Sequence, residues 1–119
     1  MTAADPRHAA AARGAIALQR CAECGAALYP AREACARCQS DRLEWLVTPD
    51  LPGTVLARTV LRHSYEPRFR ADLPLGLALV RLDAGPVAVC FLAPGRAPGD
   101  PVRVTARLDA AAHPVLDAA

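Results

Sequence analysis

The chain has 119 residues, of which 14 are basic and 12 acidic, giving a formal net charge of +2. Every basic residue is arginine, so chemistry that needs a lysine Schiff base within this chain is excluded. Residues 1–50 carry six arginines against six acidic residues and residues 51–119 carry eight against six, a balance that argues against a strongly basic nucleic-acid-binding block.

The first predicted element is a short helix within residues 1–19, an alanine-rich segment. Asp5 is placed to cap it and Pro6 suits its first position, whereas Gly14 is expected to break it. The segment lacks the apolar run of a secretory signal, and no stretch of the chain approaches the ~20 apolar residues of a membrane span. We therefore expect a cytoplasmic protein without a membrane segment.

The next element, residues 20–48, holds two C-x-x-C pairs separated by a ten-residue insert. The candidate ligands are Cys21, Cys24, Cys35 and Cys38. Each pair can present two thiolates from one tight turn, and two facing turns complete a tetrahedral site of the zinc-ribbon or rubredoxin type. We predict structural zinc, with iron as the alternative because both metals accept four thiolates. A site with four protein ligands has no open position for catalysis.

The two cysteine turns differ in the residue that follows them. Gly25 can take a positive backbone angle after the first pair, whereas Gln39 holds the same place after the second and suits it less well. Three arginines lie close in sequence to the predicted thiolate site: Arg20, Arg32 and Arg37. They either offset its negative charge or are simply exposed to solvent.

The sequence T-P-D-L-P-G marks a boundary, after which strand-like runs dominate. These runs cover residues 53–65, 75–82, 86–93 and 101–108 and are separated by turn-forming residues. Short strands without long helices between them favour a five-stranded OB-fold barrel over residues 49–110, followed by a mobile or capping tail over residues 111–119. Cys90 lies inside an apolar run and is predicted to be a buried small hydrophobe.

No catalytic constellation is evident in the sequence. His63 and Ser64 are adjacent, so on a strand their side chains point to opposite faces and do not form a hydroxyl–imidazole couple. Neither C-x-x-C pair has the strand-then-helix context of a thioredoxin-like redox site. A rubredoxin-like role in electron transfer remains an alternative if the bound metal is iron.

The loop between the first two predicted barrel strands combines arginines with aromatic residues, including Arg68, Phe69 and Arg70. Guanidinium groups suit phosphate and an aromatic ring can stack on a base, so this loop could contact coenzyme A, single-stranded RNA or a partner protein. The chain has only five aromatic residues, fewer than a stacking surface for single strands would ordinarily present. Nucleic acid is therefore the less favoured ligand.

The ordered motifs L-Q-R-C-A-E-C-G, Y-P-A-R-E-A-C-A-R-C-Q-S, G-T-V-L-A-R-T-V and P-L-G-L-A-L-V-R-L-D resemble the zinc-ribbon/OB-fold acyl-CoA-associated proteins, the family once labelled domain of unknown function 35. The resemblance extends from about residue 16 to residue 108. It implies a mainly β fold with an N-terminal helix, a rubredoxin-like zinc ribbon and a C-terminal OB-fold barrel.

The resemblance also implies a function. Members of this family accompany thiolase-superfamily enzymes that condense or cleave acyl-CoA, and the catalytic residues belong to the partner. We therefore expect a non-catalytic accessory subunit in a hetero-oligomer, which docks on a thiolase-like enzyme and helps to bind or channel acyl-CoA. The alternative is an OB-fold protein that binds single-stranded nucleic acid.

Overall fold

A computed structural model of the chain describes residues 5–63 and 73–119, and its secondary structure is almost entirely β. One helix, α1 (Pro6–Ala12), precedes a three-stranded sheet and a closed five-stranded barrel. The predicted fold class is therefore confirmed. Within the described residues, no helix is both long enough and apolar enough to cross a membrane.

Helix α1 begins where the sequence predicted but ends earlier than the expected span of residues 1–19. The carboxylate of Asp5 accepts a hydrogen bond from the main-chain N–H of Arg7 at 2.9 Å, which caps the first turn. Gly14 has a φ of 77°, a left-handed conformation that favours glycine and terminates the helix. The break at Gly14 agrees with the sequence prediction, and a strand begins at Ile16, so the bounds 1–19 given to the helical segment are corrected.

The ribbon sheet consists of β1 (Ile16–Cys21), β2 (Ala27–Leu28) and β3 (Leu43–Thr48), in the order β2-β1-β3 with antiparallel pairing throughout. The first four residues of the central strand β1 are all buried. This burial on both faces explains why the segment lacks the alternating pattern by which a half-buried strand is recognised.

The barrel consists of β4 (Leu51–Leu61), β5 (Leu75–Leu82), β6 (Val87–Leu92), β7 (Pro101–Leu108) and β8 (Pro114–Ala118). Around the barrel the order is β4-β5-β6-β8-β7, and β7 pairs with β4 to close it. Strands β6 and β8 are parallel, whereas all the other neighbouring pairs are antiparallel. Closure leaves the barrel without a free sheet edge.

The fifth barrel strand lies in the segment that was expected to be a tail. Strand β8 pairs with β7 from Val104↔Ala118 to Leu108↔Pro114. The turn before it is held by Asp109, whose carboxylate accepts hydrogen bonds from the main-chain N–H groups of Ala111 and His113 at 2.9 Å each. The expected tail over residues 111–119 is thus corrected to a turn and a closing strand.

The ribbon sheet and the barrel share one apolar core. Val80 and Val104 are fully buried inside the barrel, and Ile16 and Leu18 of β1 belong to the same cluster of buried side chains. Cys90 is 1% exposed within this cluster, so the prediction that it is buried is confirmed. Strand β1 therefore starts in the barrel core and ends at the first cysteine of the ribbon.

Candidate metal centre

The four cysteines of the ribbon converge, and their sulfur atoms all lie within 4.8 Å of one another. The Sγ atoms of Cys21 and Cys38 are 3.5 Å apart, and those of Cys24 and Cys35 are 3.6 Å apart. Each close contact joins one cysteine of the first pair to one of the second. The structure thus brings the two predicted C-x-x-C turns face to face.

These distances can be compared with those of a bound ion. A tetrahedral site with a metal–sulfur distance of about 2.3 Å has its sulfur atoms about 3.8 Å apart. The shortest separations, 3.5 and 3.6 Å, and the limit of 4.8 Å bracket that value. A disulfide would need a sulfur–sulfur distance of about 2.05 Å. The donor set therefore fits one four-coordinate ion, and zinc and iron both accept four thiolates.

The two cysteine turns have the same main-chain geometry. The N–H of Gly25 donates to the carbonyl of Cys21 at 2.9 Å, and the N–H of Gln39 donates to the carbonyl of Cys35 at 2.9 Å. Both donor residues have left-handed φ angles, 77° for Gly25 and 68° for Gln39. The expected equivalence of these positions is confirmed, and the strain falls on the glutamine.

Main-chain amides favour ionisation of the first cysteine in each pair. Hydrogen bonding from the N–H of Cys38, reinforced by that of Arg37, lowers the pKa of Cys35 to about 6 even though burial opposes the shift. The N–H of Cys24 likewise lowers the pKa of Cys21. Amides that stabilise a thiolate also prepare it to bind a cation, because the thiolate is the ligand form of cysteine.

The electrostatic surroundings of Cys38 act in the opposite direction. The N–H of Ser40 acts to lower its pKa, but the neighbouring thiols, Cys21 first among them, and burial outweigh that effect and raise the pKa to about 12. Four negative charges cannot be held this close without a cation, so the cluster keeps protons that a divalent ion would displace. The cluster thus has the electrostatics of a metal site.

Burial of the four ligands is asymmetric. The first cysteine of each pair is 1% exposed, whereas the second is exposed. Cys21 and Cys35 pack with Leu28 in a small cluster that is separate from the barrel core, with Ala26 and Leu43 at its margin. Three buried side chains are too few to hold two loops by apolar burial, so a bound metal would be the main support of this end of the ribbon.

Two further contacts hold the ribbon loops, and the sequence analysis missed both. The side-chain amide of Gln19 donates to the carbonyl of Arg32 at 2.8 Å and its oxygen accepts from the N–H of Arg32 at 2.7 Å. Arg42 forms an ion pair with Glu23 at 2.7 Å, which ties the first cysteine turn to the start of β3. The sequence signal for the first contact was a glutamine directly after the apolar run of residues 16–18. Such a glutamine needs a hydrogen-bond partner if it is buried, as Gln19 is.

Two of the three arginines of the ribbon contact other side chains through their main chain. The main-chain N–H of Arg37 donates to the sulfur of Cys35 at 3.3 Å, and the main chain of Arg32 is held by Gln19. Within residues 5–63 and 73–119, no ion pair joins the guanidinium of Arg20, Arg32 or Arg37 to an acidic group. Offsetting of the thiolate charge by these side chains stays a prediction.

The predicted contact loop lies outside the described residues. Arg68, Phe69 and Arg70 fall in the range 64–72, as does Ser64. The proposal that these side chains meet coenzyme A or a partner is therefore carried by the sequence alone.

One of the concave features formed by residues 5–63 and 73–119 is a cleft between the ribbon and the barrel. Its volume is about 250 Å³, and Ile16, Leu18, Tyr29, Leu82 and Leu116 supply most of its apolar lining. Asp5 and Arg7, which form an ion pair at 2.9 Å, contribute charged groups to the lining. The volume is below the range of about 300–1,000 Å³ that is usual for small-molecule sites, so the cleft could hold part of an acyl chain but not a whole coenzyme A.

Comparison with known proteins identifies the family of this chain. Residues 8–44 match the rubredoxin-like zinc ribbon domain of ChsH2, and residues 47–107 match the C-terminal OB-fold domain of ChsH2. The chain belongs to the ChsH2 family. The gap between the two matches, residues 45–46, lies within β3 and close to the predicted change of module at residues 48–49. Both matches agree with the resemblance found in the sequence.

A solved structure extends this comparison. A chain of the complex named "Ltp2-ChsH2(DUF35) aldolase" is similar to this one with a TM-score of 0.72 and 25% sequence identity, over 99% of this chain and 97% of that chain. No curated protein sequence matches this chain significantly. The similar chain thus has the same ribbon-plus-barrel architecture and occurs in an assembly with a second protein.

Proposed function

We propose that this chain is a non-catalytic accessory subunit of a thiolase-superfamily enzyme and that it helps to bind or channel acyl-CoA substrates. The observation that carries the proposal is the end-to-end similarity to a chain of an Ltp2–ChsH2 aldolase complex, together with the family match. ChsH2 is named there alongside Ltp2, which supports a role beside another protein. The enzyme activity would then reside in that partner.

The chemistry of the cysteine cluster supports a non-catalytic role. Four cysteine ligands complete the shell of a tetrahedral ion, so no position is left for water or substrate. An ion held in this way stabilises the fold and does not generate hydroxide. Cys90, the remaining thiol, is buried, and burial raises its pKa to about 12, so it is a poor nucleophile at neutral pH.

The surface of the barrel supports contact with another molecule. Leu79 and Val89 face each other across β5 and β6 and are 43% and 59% exposed, and Val87 nearby is 39% exposed. Grouped exposed aliphatic side chains of this kind are typical of interaction surfaces. The ribbon–barrel cleft alone is too small for a whole coenzyme A, so a partner would supply the rest of a site built on that cleft.

Co-expression tests the proposal directly. This chain would be produced with thiolase-superfamily enzymes of the same genome, beginning with gene neighbours, and the purified material would be assayed for acyl-CoA cleavage and condensation. The expected result is a stoichiometric complex whose activity is lost or reduced at least tenfold when this chain is omitted. Cys35→Ser, which removes one metal ligand, should impair the complex, whereas Cys90→Ser should leave metal binding intact.

Two results would contradict this function. One is turnover of an acyl-CoA by the isolated chain, which would make it an enzyme. The other is a complete absence of partner complexes combined with salt-dependent binding of a single-stranded oligonucleotide, which would favour the nucleic-acid alternative.

A further inference from the structure

The ribbon sheet has one long strand edge that no described strand covers. In the order β2-β1-β3, the outer strands are β2, with two residues, and β3, with six. The edge of β2 is short and is followed closely by Pro30, features that limit further pairing, whereas the barrel is closed. Among residues 5–63 and 73–119, β3 therefore presents the main opportunity for strand addition.

The pairing register shows which main-chain groups of β3 point outward. The N–H of Ala22 donates to the carbonyl of Arg42 at 2.8 Å, which is one of the two bonds of a hydrogen-bonded pair at these positions. Such pairs alternate along an antiparallel ladder. The register Leu18↔Leu46 then directs the N–H and C=O of Leu46 toward β1, and those of Trp45 and Val47 toward the free edge.

The other face of β1 gives an independent check on this assignment. The N–H of Cys21 donates to the carbonyl of Ala26, so Cys21 and, by alternation, Gln19 direct their main-chain groups toward β2. The main-chain groups of their neighbours Arg20 and Leu18 must then point toward β3, which agrees with the direction assigned to Leu46. No hydrogen bond of the Trp45 or Val47 main chain to another described residue is found outside the sheet.

The side chains of β3 suit a second strand. Leu46 and Val47 are 46% and 40% exposed, and the strand contains neither a proline nor a bulge. Natural sheets usually protect an exposed edge with such devices or with several charges. The single charged residue of β3 is Glu44, which is exposed and forms no ion pair with any described residue.

We infer that the free edge of β3 receives an extended strand of the partner enzyme, so that the ribbon sheet continues into the partner. The inference rests on the proposed function and specifies where docking occurs. Main-chain hydrogen bonds to Trp45 and Val47 would supply the pairing. A basic residue on the incoming strand, placed beside Glu44, would supply the charge complementarity that fixes the register.

A second copy of this chain fits the edge less well than a partner strand. Residues 43–48 contain no basic residue and the preceding Arg42 is already paired with Glu23. A β3–β3 pair would therefore leave Glu44 opposite an uncharged side chain or opposite the same glutamate of the other copy. Like charges directly opposite each other destabilise a strand pair. The charge pattern therefore favours a different protein that carries lysine or arginine at this position.

Amide hydrogen exchange of the complex from the co-expression experiment tests the inference. In the free metal-loaded chain, the amides of Trp45 and Val47 should exchange rapidly and those of Glu44 and Leu46 slowly. In the complex, Trp45 and Val47 should become at least tenfold better protected, while Glu44 and Leu46 change little. This alternation would not arise from general burial of β3, which would slow exchange at neighbouring amides alike.

Matched variants give a second readout. Val47→Pro removes an N–H that faces outward and leaves the bonds to β1 in place, and Val47→Ala is its control because it shortens the side chain but keeps the N–H. Val47→Pro should weaken binding of the enzyme at least tenfold relative to Val47→Ala. Glu44→Arg should weaken it more than Glu44→Gln. Metal content and thermal unfolding would establish that each variant is folded.

The possible failures can be told apart. If no enzyme forms a complex, the proposed function and the edge inference both fall. If an active complex forms but the Trp45 and Val47 amides remain unprotected, only the edge inference is overturned. Concentration-dependent protection of these amides in the free chain, accompanied by a dimer in sedimentation, would also overturn it in favour of self-pairing.

Discussion

The ribbon and the barrel are stabilised by different means, although Ile16 and Leu18 of the ribbon strand β1 belong to the core cluster of the barrel. The barrel surrounds a continuous cluster of buried aliphatic side chains, whereas the cysteine end of the ribbon has three buried side chains and four converging sulfur atoms. The barrel can fold by apolar burial, and we expect the cysteine end of the ribbon to depend on a bound ion. Metal loss should therefore affect the cysteine end of the molecule and spare the barrel.

The cysteines themselves report on this difference. Four of the five thiols lie in the ribbon and the fifth, Cys90, lies in the barrel core. Thiol alkylation followed by mass spectrometry therefore distinguishes opening of the ribbon from opening of the barrel. Labelling of four cysteines would indicate that only the ribbon has opened, and labelling of all five would indicate that the barrel has opened as well.

The largest expected effect follows removal of the metal. A strong chelator, or Cys35→Ser, should abolish tight metal binding and forfeit a contribution on the order of 10 kcal/mol to the folding of the cysteine loops. The barrel should persist because Val80, Val104 and the rest of its core form a cluster that is separate from the one that holds Cys21 and Cys35. Alkylation of the chelated protein should label four cysteines and leave Cys90 unlabelled.

The control for this experiment uses the fifth cysteine. Cys90→Ala should retain one equivalent of metal, and its ribbon thiols should stay protected until chelator is added. Rapid labelling of Cys90 in wild-type protein as soon as the metal is removed would show that the two regions unfold together. That result would contradict the expectation that the barrel persists without the metal.

The next largest effect is expected from the barrel core. Leu82 is 1% exposed, so Leu82→Ala should destabilise the barrel by about 3 kcal/mol through lost burial and the cavity left behind. Denaturant unfolding monitored at Cys90 by alkylation would measure this loss. Val89→Ala, at a side chain that is 59% exposed, serves as the control and should change stability by less than about 0.5 kcal/mol. An equal effect of the two substitutions would contradict the assigned core.

The parts of this architecture that were predictable depend on local patterns. The convergence of the four cysteines follows from spacing within two short turns, and β5 and β7 were predicted with the bounds they have, at Leu75–Leu82 and Pro101–Leu108. In both strands, buried and exposed positions alternate along most of the length. Alternation of this kind is visible in the sequence without knowledge of the neighbouring strands.

The features that were missed depend on distant partners. Strand β8 has five residues and is defined by its pairing with β6 and β7, which the local sequence does not reveal. Strand β1 follows an alanine-rich helix and is buried on both faces. The sequence therefore shows no alternation of apolar and polar residues where the helix gives way to the strand. The contact of Gln19 with the main chain of Arg32 joins residues 13 positions apart. Non-local pairing decided all three.

A smaller effect is expected from exchanging the residues that end the two cysteine turns. Gln39 has a φ of 68°, so Gln39→Gly should relieve strain and tighten metal binding by at most about 1 kcal/mol, because glycine also loses more freedom on folding. Gly25→Ala, at a φ of 77°, should weaken binding by about 1 kcal/mol. Competition with a chromophoric chelator would measure both shifts. Opposite signs are required, and shifts of the same sign would disprove the equivalence of the turns.

The smallest effect is expected at the ion pair between Glu23 and Arg42, which links the first cysteine turn to β3. Both side chains are largely exposed, at 47% and 71%, so the pair is screened by solvent and salt. Glu23→Gln should therefore change metal affinity by less than about 1 kcal/mol, and the difference from wild type should shrink further in 1 M salt. Asp50→Asn, which breaks the exposed pair with Arg103 at the start of the barrel, is the matched control and should leave metal affinity unchanged. If Glu23→Gln instead released the metal, the ribbon would depend on its surface charges as much as on its sulfur ligands, and the contrast between an ion-held region and a core-held region would need revision.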